Sequence, residues 1–83
     1  MSAFRDLPIF RAGIIGITTQ GTDAVRLTAA MHTVPEAKPA AMALGDPFNR
    51  IRRAQALRIL EGLSSRHQAR ILAAYSRKRD TAE

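Results

Sequence analysis

The chain has 83 residues, no cysteine and a formal net charge of +6. A chain of this length forms one small domain at most. Without cysteine it can have no disulfide, thiolate nucleophile or cysteine-bound metal. Hydrophobic residues make up 46% of the chain and aromatic residues only 5%, and much of the apolar content is alanine, which favours helices but fills little core volume. We therefore expect a small all-α protein that is stabilised by close helix packing or by assembly into a homo-oligomer or larger complex.

The excess positive charge lies in the C-terminal part of the chain. Residues 1–46 carry four basic and four acidic residues, whereas residues 47–83 carry nine basic and three acidic residues. Eight of those nine cations are arginine, whose planar guanidinium suits phosphate and carboxylate groups. This charge indicates binding to nucleic acid or to an acidic protein surface; the alternative is a solvated surface that promotes solubility.

Residues 1–20 are predicted to form an apolar arm. Pro8 prevents a regular helix from running through the whole segment, and the β-branched run Ile14–Thr19 is also compatible with a strand. We favour a helix or an irregular arm, because a lone strand would need a partner from another subunit. The apolar run in this segment is too short for a signal peptide or a membrane span. We therefore expect a cytoplasmic protein.

Residues 21–46 are predicted to contain a short helix and a proline-rich connector. The segment Thr18–Asp23 is typical of a turn, with Thr22 as the N-cap of a helix over residues 23–32. Two prolines, Pro35 and Pro39, then favour an extended connector, because residues before proline avoid the helical region. Pro39 is also predicted to open a short turn through residues 40–44, closed by Gly45.

Residues 47–79 are predicted to form a basic helical hairpin, followed by a tail over residues 80–83. Asp46 is the expected N-cap of a helix over residues 47–61. A Gly-Leu-Ser turn leads to a second helix over residues 65–79, with Ser64 or Ser65 as its N-cap. Because the turn is short, the helices should be neighbours. Such a turn occurs both in antiparallel helix pairs and in a DNA-binding helix-turn-helix. We favour the antiparallel pair, because Gln68 falls on the apolar side and the sequence gives little sign of a supporting third helix.

The second helix of this hairpin is predicted to be two-sided. Arg66, Arg70 and Arg77 follow helical spacing on one side, and the apolar residues lie on the other. We predict that nucleic acid or an acidic partner is bound by the basic residues Arg50, Arg53, Arg66, Arg70, Arg77 and Lys78. The candidate residues for packing against another subunit are Phe10, Ile14, Ile71, Leu72 and Tyr75.

Enzymatic chemistry finds little support. The sequence has no carboxylate pair at useful spacing and no glycine-rich phosphate loop. His32 and His67 are far apart, and we expect the first to cap a helix and the second to be solvated. We therefore expect no catalytic residue, metal or cofactor. The predicted function is that of a small basic nucleic-acid-binding or regulatory protein. The alternative is an interaction subunit, such as an inhibitor, an accessory subunit or a viral structural component, that binds an acidic or apolar surface of a larger assembly.

Two short motifs resemble the small arginine-rich YjiS-like bacterial proteins, which combine an arginine cluster with a Leu-Ser-x-Arg helix start. The matching residues here are Arg52-Arg53 and Leu63-Ser-Ser-Arg66. The Asp-Ile-Gly ending typical of that family is replaced by Arg70-Ile71-Leu72. The resemblance covers a small part of the chain and implies no function for it.

Overall fold

A computed structural model describes residues 3–11, 17–46 and 48–81, and the side chains of residues 4–11, 22–46 and 48–77. Over these residues the protein is all-α, as predicted, and contains no strand. The elements in chain order are a 3₁₀ turn Ala3–Asp6, α1 Pro8–Arg11, α2 Ile17–Met31, a 3₁₀ turn Pro35–Ala37, α3 Lys38–Ala43, α4 Arg50–Glu61 and α5 Ser65–Thr81.

The described part of the N-terminal arm packs against the chain's own core. Phe4 and Ile9 are completely buried, and α1 lies against α2 and α4. Arg5 forms a two-pronged ion pair with Glu61 at the end of α4, with Nε to Oε2 at 2.7 Å and Nη2 to Oε1 at 3.2 Å. The hydrogen bond and then the negative charge of Glu61 raise the pKa of Arg5. The arm is thus an intramolecular element, although Ile14 lies outside the described residues.

The second helix begins earlier than the sequence predicts. Residues Thr18–Asp23, predicted to form a turn, lie inside α2, so Thr22 is not its N-cap. Threonine and glycine are poor helix formers, but their preferences amount to about 1 kcal/mol or less per residue. Packing of α2 against α5 and α1 supplies the stabilisation that overrides those preferences.

The predicted proline-rich connector is largely helical. Val34 alone has the extended conformation expected before a proline, with φ −128° and ψ 106°, and its side chain is buried. The chain then enters the turn Pro35–Ala37 and continues directly into α3. An extended connector was therefore the wrong prediction, because proline is compatible with the first turn of a helix.

The fourth helix starts later than predicted, and with a different cap. Asn49 is its N-cap, and the Asn49 Oδ1 accepts hydrogen bonds from the backbone N–H of Ile51 at 3.0 Å and of Arg52 at 3.2 Å. Asp46 instead opens a turn in which its carbonyl accepts the Asn49 N–H at 3.2 Å. At the other end Gly62 has φ −85°, so this position does not use the left-handed conformation that glycine permits.

The connection between α4 and α5 is short and is stabilised by side-chain hydrogen bonds. Ser64, one of the two serines predicted as the N-cap, caps α5, since its Oγ accepts the His67 N–H at 3.2 Å. The Gln68 side-chain amide donates to the carbonyls of Glu61 at 3.2 Å and Leu63 at 2.8 Å. Gln68 therefore satisfies carbonyls that the end of α4 leaves free.

The two helices do not form the predicted packed antiparallel hairpin. α5 packs against α2 and α4 packs against α3, whereas the described parts of α4 and α5 make few contacts with each other. Both helices contribute to the same hydrophobic core, although each packs on a different neighbour. The core residues are Ile71, Ala74 and Tyr75 of α5 and Ala56 and Leu60 of α4. A short turn makes helices adjacent in space, but their apolar faces decide which element each packs on.

Candidate nucleic-acid interface

The outer side of α5 carries exposed arginines. We define the arginine ridge as Arg66, Arg70 and Arg77, which are all exposed. Arg66 and Arg70 are one turn apart, about 6 Å along the helix axis. The opposite side of the helix is buried, with Ile71 at 0% and Tyr75 at 6% exposure. The structure therefore confirms the predicted division of this helix into a charged side and a packing side.

The start of α5 also contacts a residue that is distant in the sequence. The His67 Nε2 lies 3.8 Å from the Glu36 Oε1 of the second 3₁₀ turn, so His67 contacts an acidic partner and is only partly exposed, rather than fully solvated as predicted. The Ser64 cap and the Gln68 bonds lie in the same part of the helix, next to Arg66. The start of the helix that carries the ridge therefore contacts α4, the α4–α5 turn and the second 3₁₀ turn.

A buried polar cluster anchors the packing side of α5. The Asp23 carboxylate is 3% exposed; it accepts hydrogen bonds from the Tyr75 hydroxyl and, at 3.2 Å, from the Ile9 backbone N–H. The Arg26 guanidinium carbon lies 4.6 Å from the centre of the Tyr75 ring, a cation–π distance. The Arg26 Nε and Nη2 are buried without a hydrogen-bond partner among the described residues.

Sequence reasoning missed this cluster. Tyr75 is predicted to pack in the core or against another subunit, and the structure places it in the core, whereas Asp23 is predicted to lie in the first turn of a helix. A signal was present: Asp23, Leu27 and Ala30 follow i, i+4, i+7 spacing, which places a carboxylate within the apolar stripe of α2. A charged residue in such a stripe needs a buried partner, and Tyr75 is that partner.

The basic residues of α4 form a separate group. Arg53, predicted to bind a partner, is only 9% exposed and has intramolecular interactions, so it is not a surface cation. Arg50 is exposed. Both line a cavity of about 140 Å³ beside Ile9 and Phe10. Because α4 and α5 make few contacts, the structure does not join these arginines and the ridge into the single basic hairpin that was predicted.

Arg53 is buried because it lies on the inner side of α4. Arg53, Ala56 and Leu60 follow i, i+3, i+7 spacing and are all buried. The long aliphatic part of an arginine can be covered by apolar neighbours while its guanidinium reaches polar groups. The apolar positions of this helix predict a packing side that includes Ile51, but Ile51 is 71% exposed.

The predicted interface residues mostly serve the chain's own core. Ile71 and Tyr75 are buried, which excludes both a surface contact and base stacking by Tyr75 in this conformation. Phe10 and Leu72 are partly buried against the same core. Ile14 and the side chain of Lys78 lie outside the described residues. The large apolar side chains that are exposed lie elsewhere: Val25, Met42, Phe48 and Ile51.

The described residues form neither a metal-binding group nor a membrane-spanning helix. No group of three or more His, Cys, Asp or Glu side chains among them could hold a metal ion. No helix in the described ranges is both long and apolar enough to cross a membrane. His32 makes no side-chain hydrogen bond there; the Thr33 Oγ1 instead donates to the Ala30 carbonyl at 2.7 Å at the end of α2.

Comparison with known proteins gives no family assignment, since no family model, curated protein or solved structure matches the chain. The resemblance to YjiS-like proteins therefore gains no support.

Proposed function

We propose that this chain is a small, non-enzymatic protein that binds nucleic-acid phosphates through the arginine ridge of α5. One observation carries the proposal: Arg66 and Arg70 project from one exposed side of a helix whose other side is anchored by Ile71 and Tyr75. A rigid base lowers the conformational entropy lost when arginines are ordered on a ligand.

The fold reduces the number of basic residues that can contact phosphate together with the ridge. Arg53 is buried, and the Arg52 guanidinium is turned towards α3, where it donates to the Met42 and Ala43 carbonyls. The ridge then offers Arg66 and Arg70 directly, whereas Arg77 already has an intramolecular interaction. For two to three contacts with duplex DNA, log K should fall with log salt at a slope of about −2 to −3, and of about −1.5 to −2 for single strands.

The test is a salt series with a short RNA and a short DNA duplex, read by fluorescence anisotropy. We expect weak, salt-dependent binding, with dissociation constants of about 10⁻⁴ to 10⁻⁶ M. The double variant Arg66→Gln/Arg70→Gln should lose most of this binding, and its duplex slope should become less negative by about 2. Arg77 is left in place because it already has an intramolecular interaction.

A matched control separates the ridge from overall charge. Arg11→Gln/Lys38→Gln removes the same two charges from exposed positions on α1 and α3. We expect the control to bind as the unchanged protein does, apart from a small loss. Equal weakening by the two double variants, or no binding of RNA or DNA at low salt, would show that the ridge is a solvated helix face.

The second candidate function is that of an interaction subunit. The observation that favours it is the exposure of four large apolar side chains, Val25 at 71%, Met42 at 64%, Phe48 at 51% and Ile51 at 71%. Three of them lie where α3 ends and α4 begins. In this alternative the contact surface is on α3 and α4, and not on the N-terminal arm or the inner side of α5.

A further inference from the structure

A groove of about 430 Å³ runs between α3 and α4. Its apolar floor is formed by Pro39, Met42 and Ala43 of α3 and by Ile59 of α4. Met42 is 64% exposed although it belongs to this floor. The volume is within the range of protein pockets that hold ligands, and the apolar lining favours a partner that has an apolar face of its own.

The rim of the groove is positively charged. Arg52 and Arg58 line it, and its lining contains no acidic residue. Arg52 is already held in place, since its Nε donates to the Ala43 carbonyl at 3.3 Å and its Nη2 to the Met42 carbonyl at 2.9 Å. The side chain keeps its positive charge and further donors, so binding a carboxylate there costs little additional ordering.

We propose that this groove binds an acidic amphipathic helix of a partner protein. The apolar side of that helix would lie on Met42 and Ile59, and its carboxylates would meet Arg52 and Arg58. The stretch from Arg52 to Ile59 is about 10 Å long, which matches two turns of a bound helix. Such helix-in-groove binding is a common mode of recognition.

Charge complementarity selects this occupant over the alternatives. A second copy of the chain also carries +6, and like charges oppose such an association. Single-stranded nucleic acid favours aromatic platforms on which bases stack, and the groove is lined by none. The proposal does not depend on nucleic-acid binding by the ridge; it gives the interaction-subunit alternative a defined site.

The test uses a synthetic helical peptide of about 16 residues, long enough to retain helicity, with leucines on one side and glutamates elsewhere. Its controls carry lysine in place of glutamate, or serine in place of leucine. Titration of the isotope-labelled protein should shift backbone amide NMR signals on α3 and α4. We expect the acidic amphipathic peptide to bind and both control peptides to bind at least about tenfold more weakly.

Two protein variants locate the site. Met42→Asp should weaken peptide binding at least about tenfold, because it places a charge in the apolar contact. Its matched control is Val25→Asp, an equally exposed apolar position on α2 that should leave binding unchanged. Arg58→Gln should weaken binding about two- to fivefold, whereas Arg66→Gln on the ridge should not. Circular dichroism checks that each variant is folded.

Several results would overturn the inference: no binding of the acidic peptide, equal binding of the lysine peptide, or equal effects of Met42→Asp and Val25→Asp. Self-association of the unchanged protein that Met42→Asp abolishes would assign the groove to a second copy. Loss of RNA or DNA binding in Arg58→Gln, with no peptide binding, would assign it to nucleic acid. Only this last result would bear on nucleic-acid binding by the ridge, which is tested separately by Arg66→Gln/Arg70→Gln.

Discussion

Asp23 lies in the middle of α2, where its carboxylate connects three segments of the chain. It accepts a hydrogen bond from the Ile9 N–H of α1 and another from the Tyr75 hydroxyl of α5. A carboxylate that is only 3% exposed depends on these donors, because an unpaired buried charge is strongly destabilising. This residue therefore fixes where α5, and with it the arginine ridge, sits on α2.

Tyr75→Phe removes the hydroxyl from this buried carboxylate. We expect the free energy of unfolding to fall by about 1.5–3 kcal/mol, the range for a hydrogen bond to a charged group. The measurement is urea denaturation followed by far-UV circular dichroism. The control is the same change in an Asp23→Ala background, where the expected loss is below about 0.5 kcal/mol because the acceptor is absent. Equal losses in the two backgrounds would mean that the Tyr75 hydroxyl stabilises the fold through a group other than Asp23.

Single side chains at the ends of helices decide where those helices begin and stop. Asn49 opens α4, Ser64 opens α5, and Arg52 and Gln68 donate to carbonyls at the ends of α3 and α4. These bonds satisfy backbone groups that every helix end leaves free. Arg52 shows that a cation in a basic segment can have a structural role, because it donates to carbonyls in the last turn of α3. It also lines the α3–α4 groove.

Asn49→Ala and Asp46→Ala distinguish the observed cap of α4 from the predicted one. Asn49→Ala should lower the free energy of unfolding by about 0.5–2 kcal/mol, because two backbone N–H groups lose their acceptor. Asp46→Ala should change it by less than about 0.5 kcal/mol, since Asp46 is exposed and only its backbone carbonyl is used. Chemical denaturation of both variants tests this, and a larger loss for Asp46→Ala would restore the cap predicted from the sequence.

The described residues share one core to which every described element contributes, including the two short 3₁₀ turns through Phe4 and Ala37. Buried residues run from Phe4 in the N-terminal arm to Tyr75 in α5. The radius of gyration is 11.5 Å, close to about 12 Å for a compact chain of this length. The described part of the arm and the inner side of α5 are therefore buried against the chain's own core.

A single core predicts a single unfolding transition that does not depend on protein concentration. Fluorescence of Tyr75, the only tyrosine, and far-UV circular dichroism should give coincident urea curves. Ile71→Val should lower stability by about 0.5–1.5 kcal/mol in both signals, because Ile71 is fully buried. Val25→Ala, at an exposed position, should change it by less than about 0.5 kcal/mol. Separate transitions, or a midpoint that rises with concentration, would show that the fold is completed by a second chain.

The sequence by itself determined the helical class and the two sides of α5. Alanine-rich composition favours helices, and the helical repeat alone places Arg66 and Arg70 opposite Ile71 and Tyr75. The Ser64 cap was also readable, because capping depends on neighbouring residues. These features are local, so they survive in whatever tertiary arrangement the chain adopts.

Only the tertiary structure decided which element each helix packs on. Local preferences differ by about 1 kcal/mol or less per residue, whereas burying one large apolar side chain contributes about 1.5–3 kcal/mol. Packing therefore extended α2 back to Ile17, paired α5 with α2, buried Arg53 and left Ile51 exposed. The sequence predicts one basic hairpin, whereas the structure has two surfaces, the arginine ridge on α5 and the α3–α4 groove. Their positions depend on long-range burial and not on the local pattern of charge.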